Sequence, residues 1–126
     1  MPLYTIMTEA GALAVERKAA LAHKLTTLHV EVAGVPKDWV HIIFQDYPAG
    51  SGFTAGKVAP TAALKVTIRM GRSVDYKRQL LERIWKIVQD TTGITNEQLV
   101  IAVEELAASQ AMEMGVVMPE VSTKVV

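Results

Sequence analysis

Apolar residues fall in short alternating runs and in longer helical stripes, and the two kinds of segment take turns along the chain. Leu3-Tyr4-Thr5-Ile6-Met7 reads as a short strand, broken by Thr8-Glu9-Ala10-Gly11. From Ala12 to about Glu31 the pattern becomes helical, because Leu21, Leu25, Leu28 and Val32 recur at i, i+4, i+7 and i+11. Gly34 and Pro36 end that segment, as a glycine followed by proline should. Trp39 to Gln45 alternates and reads as a second strand. Asp46 to Pro60 holds Pro48, Gly50, Gly52 and Gly56 and reads as a long loop, the kind that tends to carry function. Ala63 to Arg69 is a third strand. Gly71-Arg72-Ser73 then turns the chain, with Ser73 placed to cap a helix running to about Thr91. Leu80, Leu81, Ile84, Ile87 and Val88 are expected to face inward from it, and Gly93 stops it. Gln98 to Val103 is a fourth strand. In the tail, Val116-Val117-Met118-Pro119 is expected to pair with a neighbouring chain.

The order strand, helix, strand, loop, strand, helix, strand predicts an α+β fold made of two β-α-β units in tandem. They form a four-stranded sheet with two helices on one face. The halves span about residues 2–46 and 62–104, each long enough for a right-handed crossover. Residues 105–126 form a C-terminal tail, and residues 1–126 are expected to be a single domain. The repeat is architectural, since the halves share negligible sequence identity. The sheet's other face is expected to be apolar and to need a partner.

Composition sharpens this picture. Half of the 126 residues are hydrophobic, a high share for so small a chain, which points to an obligate homo-oligomer. Thirteen basic residues balance thirteen acidic ones, against a nucleic-acid footprint. There is no cysteine, so disulfides, thiolate nucleophiles and cysteine metal sites are excluded. No signal peptide is visible and no apolar run approaches the ~20 residues of a membrane span, so a cytoplasmic location without membrane contact is expected. The three histidines, at 23, 29 and 41, are scattered, and no metal or phosphate-loop pattern occurs, so no cofactor is expected.

The candidate chemistry begins at the N-terminus. If Met1 is removed, Pro2 presents a secondary amine at the start of an apolar strand. An α-amine titrates near ~7.7–8.0, about 2 units below lysine. Burial and neighbouring cations lower it further. Such a group can serve as general base or general acid near neutral pH. Arg69 and Arg72, three apart between a strand end and a helix start, suit a carboxylate. His29 lies near the end of the first helix beside its apolar stripe. Glu113 stands among methionines in Gln110-Ala111-Met112-Glu113-Met114-Gly115, surroundings that favour a proton-carrying carboxyl.

Together these residues resemble the tautomerase superfamily, and within it the cis-3-chloroacrylic acid dehalogenase-like group. The resemblance rests on Pro2-Leu3-Tyr4, Leu28-His29, Phe44-Gln45-Asp46-Tyr47-Pro48-Ala49-Gly50, Arg69 through Lys77, and Gln110 through Gly115, in order over residues 2 to about 119. It implies a tautomerase/MIF-like fold, a homotrimer, loss of Met1 and catalysis by the Pro2 amine. It also implies that Arg69 and Arg72 hold the substrate carboxylate, that His29 contacts substrate, and that Glu113 helps activate water. Tyr4 and Phe44 complete the expected substrate-binding set. One departure stands out: where the dehalogenases use a fourth-strand tyrosine alongside the glutamate, this chain has Ala102. The expected activity is cofactor-free keto–enol tautomerisation of a small 2-oxo or 2-hydroxy-dienoate or enolpyruvate-type acid, with Pro2 as base. The alternatives are a hydratase/dehalogenase or decarboxylase on 3-substituted acrylates with Pro2 as acid, and a non-catalytic trimeric interaction protein on the same scaffold.

Overall fold

The computed structural model describes residues 1–121. Its frame is β1 (Leu3–Glu9), α1 (Val15–Ala33), β2 (His41–Tyr47), β5 (Ala62–Arg69), α2 (Val74–Thr92) and β6 (Leu99–Leu106). Two small hairpins interrupt it, β3 (Phe53–Thr54) with β4 (Lys57–Val58), and β7 (Met112–Glu113) with β8 (Val116–Val117). The main sheet runs β2-β1-β5-β6. Within each half the strands pair in parallel, β1 with β2 and β5 with β6. The halves join through an antiparallel seam in which Leu3 pairs with Thr67 and Met7 with Ala63.

Both helices lie on one face because each turns one apolar stripe toward the sheet. Leu21, Leu25 and Leu28 of α1 and Leu80, Ile84 and Val88 of α2 meet Tyr4, Ile6, Leu64, Val66 and Ile68 in a single core. These strand residues alternate, so the period-2 pattern decides which face is covered. Both helices end in a left-handed glycine, Gly34 at φ 67° and Gly93 at φ 75°, which satisfies a last-turn carbonyl. At the start of α2 the Ser73 hydroxyl accepts from the Tyr76 amide, as the sequence suggests. Ala14, at the same place before α1, has no such side chain, and α1 starts at Val15 rather than Ala12.

Four expectations are corrected. The loop from Asp46 to Pro60 contains the β3–β4 hairpin. Leu81 is only half-buried, outside the core, because it sits on the flank of the stripe held by Leu80, Ile84 and Val88. Val116-Val117 folds back on Met112-Glu113 within its own chain, and Met118 is buried. The open sheet face is mixed rather than apolar. It exposes Met7, Ile43 and Val100, yet Lys65 and Glu104 form an ion pair across β5 and β6 at 3.5 Å.

Burial sets the stability ranking along α2. Ile84→Ala should lower the unfolding free energy by about 2–5 kcal/mol, the range for a buried aliphatic truncation. Leu81→Ala should lower it by less than half as much, and urea denaturation compares the two.

Candidate active site

The antiparallel seam brings the start of β1 to the end of β5, and so brings the N-terminus to the two arginines. β5 closes where the Met70 amide donates to Leu106 at 2.9 Å. Gly71, at φ 116°, then takes a conformation that side chains resist, and the chain drops into the cap of α2. Arg69 and Arg72 therefore straddle one tight turn. With Met1, His29, Ile68 and Val121 they line one small hollow.

Arg69 is 9% exposed, and its Nη1 donates to the Pro119 carbonyl at 2.6 Å. Its guanidinium carbon lies 6.0 Å from the Trp39 ring centroid. Arg72 lies over the Tyr76 ring at 4.8 Å, and its Nη2 reaches the Ala33 carbonyl at the end of α1, at 3.5 Å. Burial and the neighbouring Arg72 charge lower the Arg69 pKa, while Glu113 opposes them. The guanidinium remains a cation, since its ordinary value lies above 12. Burial raises the Tyr76 phenol, against the pull of Arg72 and Arg69. Two crowded, partly dehydrated cations suit the binding of an anion.

His29 and Tyr4 form a buried pair. Both are almost fully enclosed, and the Tyr4 hydroxyl lies 2.8 Å from His29 Nδ1. Burial, then the Arg72 charge, then the N-terminal ammonium push the His29 pKa down to about 4. Burial also pushes the Tyr4 phenol well up, so it stays protonated. His29 is thus a neutral ring at pH 7.

The N-terminus closes the hollow. The Met1 ammonium is paired with the Glu113 carboxylate, and Met118 Sδ lies 3.9 Å from it. The Met1 side chain packs with Ala108 and Met118, beside Trp39. With Met1 in place the hollow has about 10 Å³ of free space, room for one water molecule. Pro2 is fully buried, and its carbonyl accepts from the His41 amide at 3.1 Å. While Met1 is attached, the Pro2 nitrogen is an amide without basicity. Without Met1 the amine would begin one residue further on, within about 4 Å of where the ammonium now meets Glu113.

The structure thus gathers Pro2, Arg69, Arg72, His29 and Glu113 at one end of the sheet. It does not bring Tyr4 or Phe44 to the hollow. Tyr4 lies behind His29, wholly buried, because β1 turns even-numbered side chains toward the helices. Phe44 pairs in register with Ile6, four residues along from Pro2, or about 13 Å at strand rise. Its ring packs half-buried on the core under Lys18, whose Nζ is 5.8 Å from the centroid. Ala102 pairs with Lys65 and is exposed on the open face, away from this protomer's own hollow. Sequence reasoning missed Tyr76, Trp39, Pro119 and Val121. Tyr76 was open to discovery, since it follows Arg72 by one helical turn. The other three reach the site through long-range packing and leave no local signal.

Against this geometry the chain can be compared with known proteins. Residues 1–125 match a family described as "Putative oxalocrotonate tautomerase enzyme". The chain belongs to this tautomerase family. The 2-hydroxymuconate tautomerase of Bacillus subtilis (strain 168) is 40% identical over 43 residues, covering 32% of this chain and 69% of that protein. Among solved structures, N1, a member of the cis-3-chloroacrylic acid dehalogenase (cis-CaaD) family, is 36% identical with a TM-score of 0.89, covering 94% of this chain and 85% of that one. Native Ps01740 is 35% identical with a TM-score of 0.85, covering 88% and 99%. A fused 4-OT solved as a symmetric trimer, 24% identical with a TM-score of 0.81 over 91% and 94%, shares the fold. The chain therefore falls with the cis-CaaD-like group of the tautomerase superfamily, as its sequence implies.

A histidine that folding holds neutral links stability to pH. Between about pH 6.5 and 4 the unfolded chain takes up a proton at His29 that the folded chain refuses. The contribution is fully present above pH 6.5 and is lost as pH falls toward 4, by up to about 3 kcal/mol. The urea midpoint should fall over that interval, and His29→Val should flatten the slope.

Proposed function

We propose that this protein is a cofactor-independent keto–enol tautomerase of small 2-oxo or 2-hydroxy-dienoate or enolpyruvate-type carboxylic acids. The observation that carries this reading is the convergence of the chain's start, two partly dehydrated arginines and a neutral histidine on one hollow, within the tautomerase family. The reading requires removal of Met1, which frees the Pro2 amine and vacates the space the Met1 side chain fills.

In the proposed reaction the substrate carboxylate sits on Arg69 and Arg72. Neutral Pro2 takes the enol proton and returns it to carbon, so the proton moves with no net gain or loss of atoms. The arginines stabilise charge as it develops on the oxygen, in a place where little water competes. They also favour the neutral amine, each unit of pKa depression being worth about 1.36 kcal/mol. Glu113, alongside the nascent amine, is placed to exchange its proton. We further propose that the tautomerase works as a homotrimer, with the exposed Met7, Ile43 and Val100 of the open sheet face buried between subunits. Sedimentation equilibrium should return three times the chain mass.

A second reading has one observation in its favour. Glu113 lies at the N-terminus, and N1 of the cis-CaaD family is a relative. In that reading a protonated Pro2 acts as acid in hydration of a 3-substituted acrylate while Glu113 activates water. Ala102 weighs against it, because an alanine on the open face brings no hydroxyl to any hollow.

Intact-mass measurement should first show the loss of one methionine. On 2-hydroxymuconate or phenylenolpyruvate, kcat/KM should rise with pH through the Pro2 pKa. A fall over the same range favours the acid reading. Arg69→Ala and Pro2→Ala, in Met-free form, should each lower kcat/KM about 10²–10⁴-fold. Undiminished turnover by Met-free Pro2→Ala sinks the proline mechanism.

A further inference from the structure

The two halves repeat one frame with different contents. α1 and α2 are each 19 residues long and end in left-handed Gly34 and Gly93. His29 stands five residues before the first glycine, and Val88 stands five before the second. In the sheet, Tyr4 pairs beside Ile42 and Leu64 beside Ile101, and each of those isoleucines follows its own glycine by eight residues. Tyr4 and His29 in the first half are therefore the counterparts of Leu64 and Val88 in the second. Leu64 and Val88 are both 2% exposed members of the core.

The frame itself thus does not call for a polar pair at these stations. It is filled by two aliphatic side chains one repeat later, and a buried phenol and imidazole carry a desolvation cost that leucine and valine avoid. The polar pair of the first half stands at the hollow to which the second half brings Arg69 and Arg72. At the matching place beside Leu64 and Val88, the first half brings Leu13 before its helix cap where the second brings Arg72, and ends its strand with Glu9 where the second ends with Arg69.

We propose that Tyr4 is a positioning residue: its hydroxyl donates to Nδ1 of His29 and so fixes the tautomer that carries its hydrogen on Nε2, turned to the hollow as a neutral donor for a substrate oxygen. The 2.8 Å contact and the edge-on ring arrangement, with centroids 5.6 Å apart at 90°, hold the imidazole in one orientation. Among the described residues, no side chain or carbonyl takes up Nε2. Burial keeps the phenol protonated and the imidazole neutral, so a phenol hydrogen is available and one ring nitrogen is free to accept it. A neutral donor adds a hydrogen bond beside Arg72 without a third positive charge in the hollow. The role of that donor toward substrate rests on the tautomerase reading above, whereas the tautomer itself does not.

The test has a spectroscopic and a kinetic part. Two-bond 1H–15N correlation spectra of histidine-labelled, Met-free protein at pH 7 should show His29 with unprotonated Nδ1 and protonated Nε2. Tyr4→Phe should convert this to a mixture of tautomers and lower kcat/KM about 10–100-fold, the range for lost partners that orient a histidine. In a His29→Val background Tyr4→Phe should change kcat/KM less than about twofold, because a residue acting through His29 has nothing left to act on. The double variant Tyr4→Leu/His29→Val, which copies the other half, should fold with an unimpaired urea midpoint and lose turnover. A proton on Nδ1 in the wild type, an unchanged tautomer in Tyr4→Phe, or an equal loss in both backgrounds overturns the proposal. The spectra need no substrate, so failure of the tautomerase reading and failure of this one are told apart.

Discussion

The antiparallel pairing of β1 with β5 is the contact on which the rest depends. Each half could pair its own strands in parallel and cover them with its own helix, but only this seam makes one sheet of the two. Because the seam is antiparallel, the beginning of the chain lies against the end of β5. That is where Arg69 emerges and Arg72 turns into α2. Register matters as much as direction. A slip of one residue would send Tyr4, Ile6 and Thr8 to the open face and Leu3 and Thr5 into the core. That slip would take Tyr4 and Ile6 out of the core and break the contact of Tyr4 with His29, so the site inherits its geometry from the register.

The repeated architecture supplies the frame, and unlike residues at matching positions supply the chemistry. Both halves have a strand, a 19-residue helix and a returning strand, with the same glycine stop. One half ends its first strand with Arg69 and the other with Glu9, and one holds a buried phenol–imidazole pair where the other holds leucine and valine. A hollow needs only the gap between a strand end, a helix start and the neighbouring helix end. An anion site needs cations placed there too, and here they stand on one side only.

Packing around the hollow strengthens its charges. Trp39 and Tyr76 lie against the two guanidiniums, and the tail from Met118 to Val121 covers them. Water removed from around fixed cations can no longer screen them, so an entering anion meets a stronger field than at the surface. The same dehydration keeps His29 uncharged. One physical cause thus strengthens the field of the two cations and leaves the imidazole beside them neutral.

Taken alone, the sequence determined the element order, the doubled architecture, the capping serine and both glycine stops, because these depend on neighbours within a few residues. Its resemblance to the tautomerase superfamily also singled out Pro2, Arg69, Arg72, His29 and Glu113. Position along the chain could not say which side chains meet. Tyr4 and Phe44 were expected at the substrate and do not line this protomer's hollow, since strand parity hides one behind His29 and strand rise carries the other along the sheet. Leu81 left the core by a small rotation about the helix axis, which an apolar stripe two residues wide does not resolve. The folding back of the tail onto Arg69, the closure of the hollow by Met1 and the mixed character of the open face arise between segments far apart in the chain. Only the tertiary structure decided these, because long-range packing has no local periodicity to announce it.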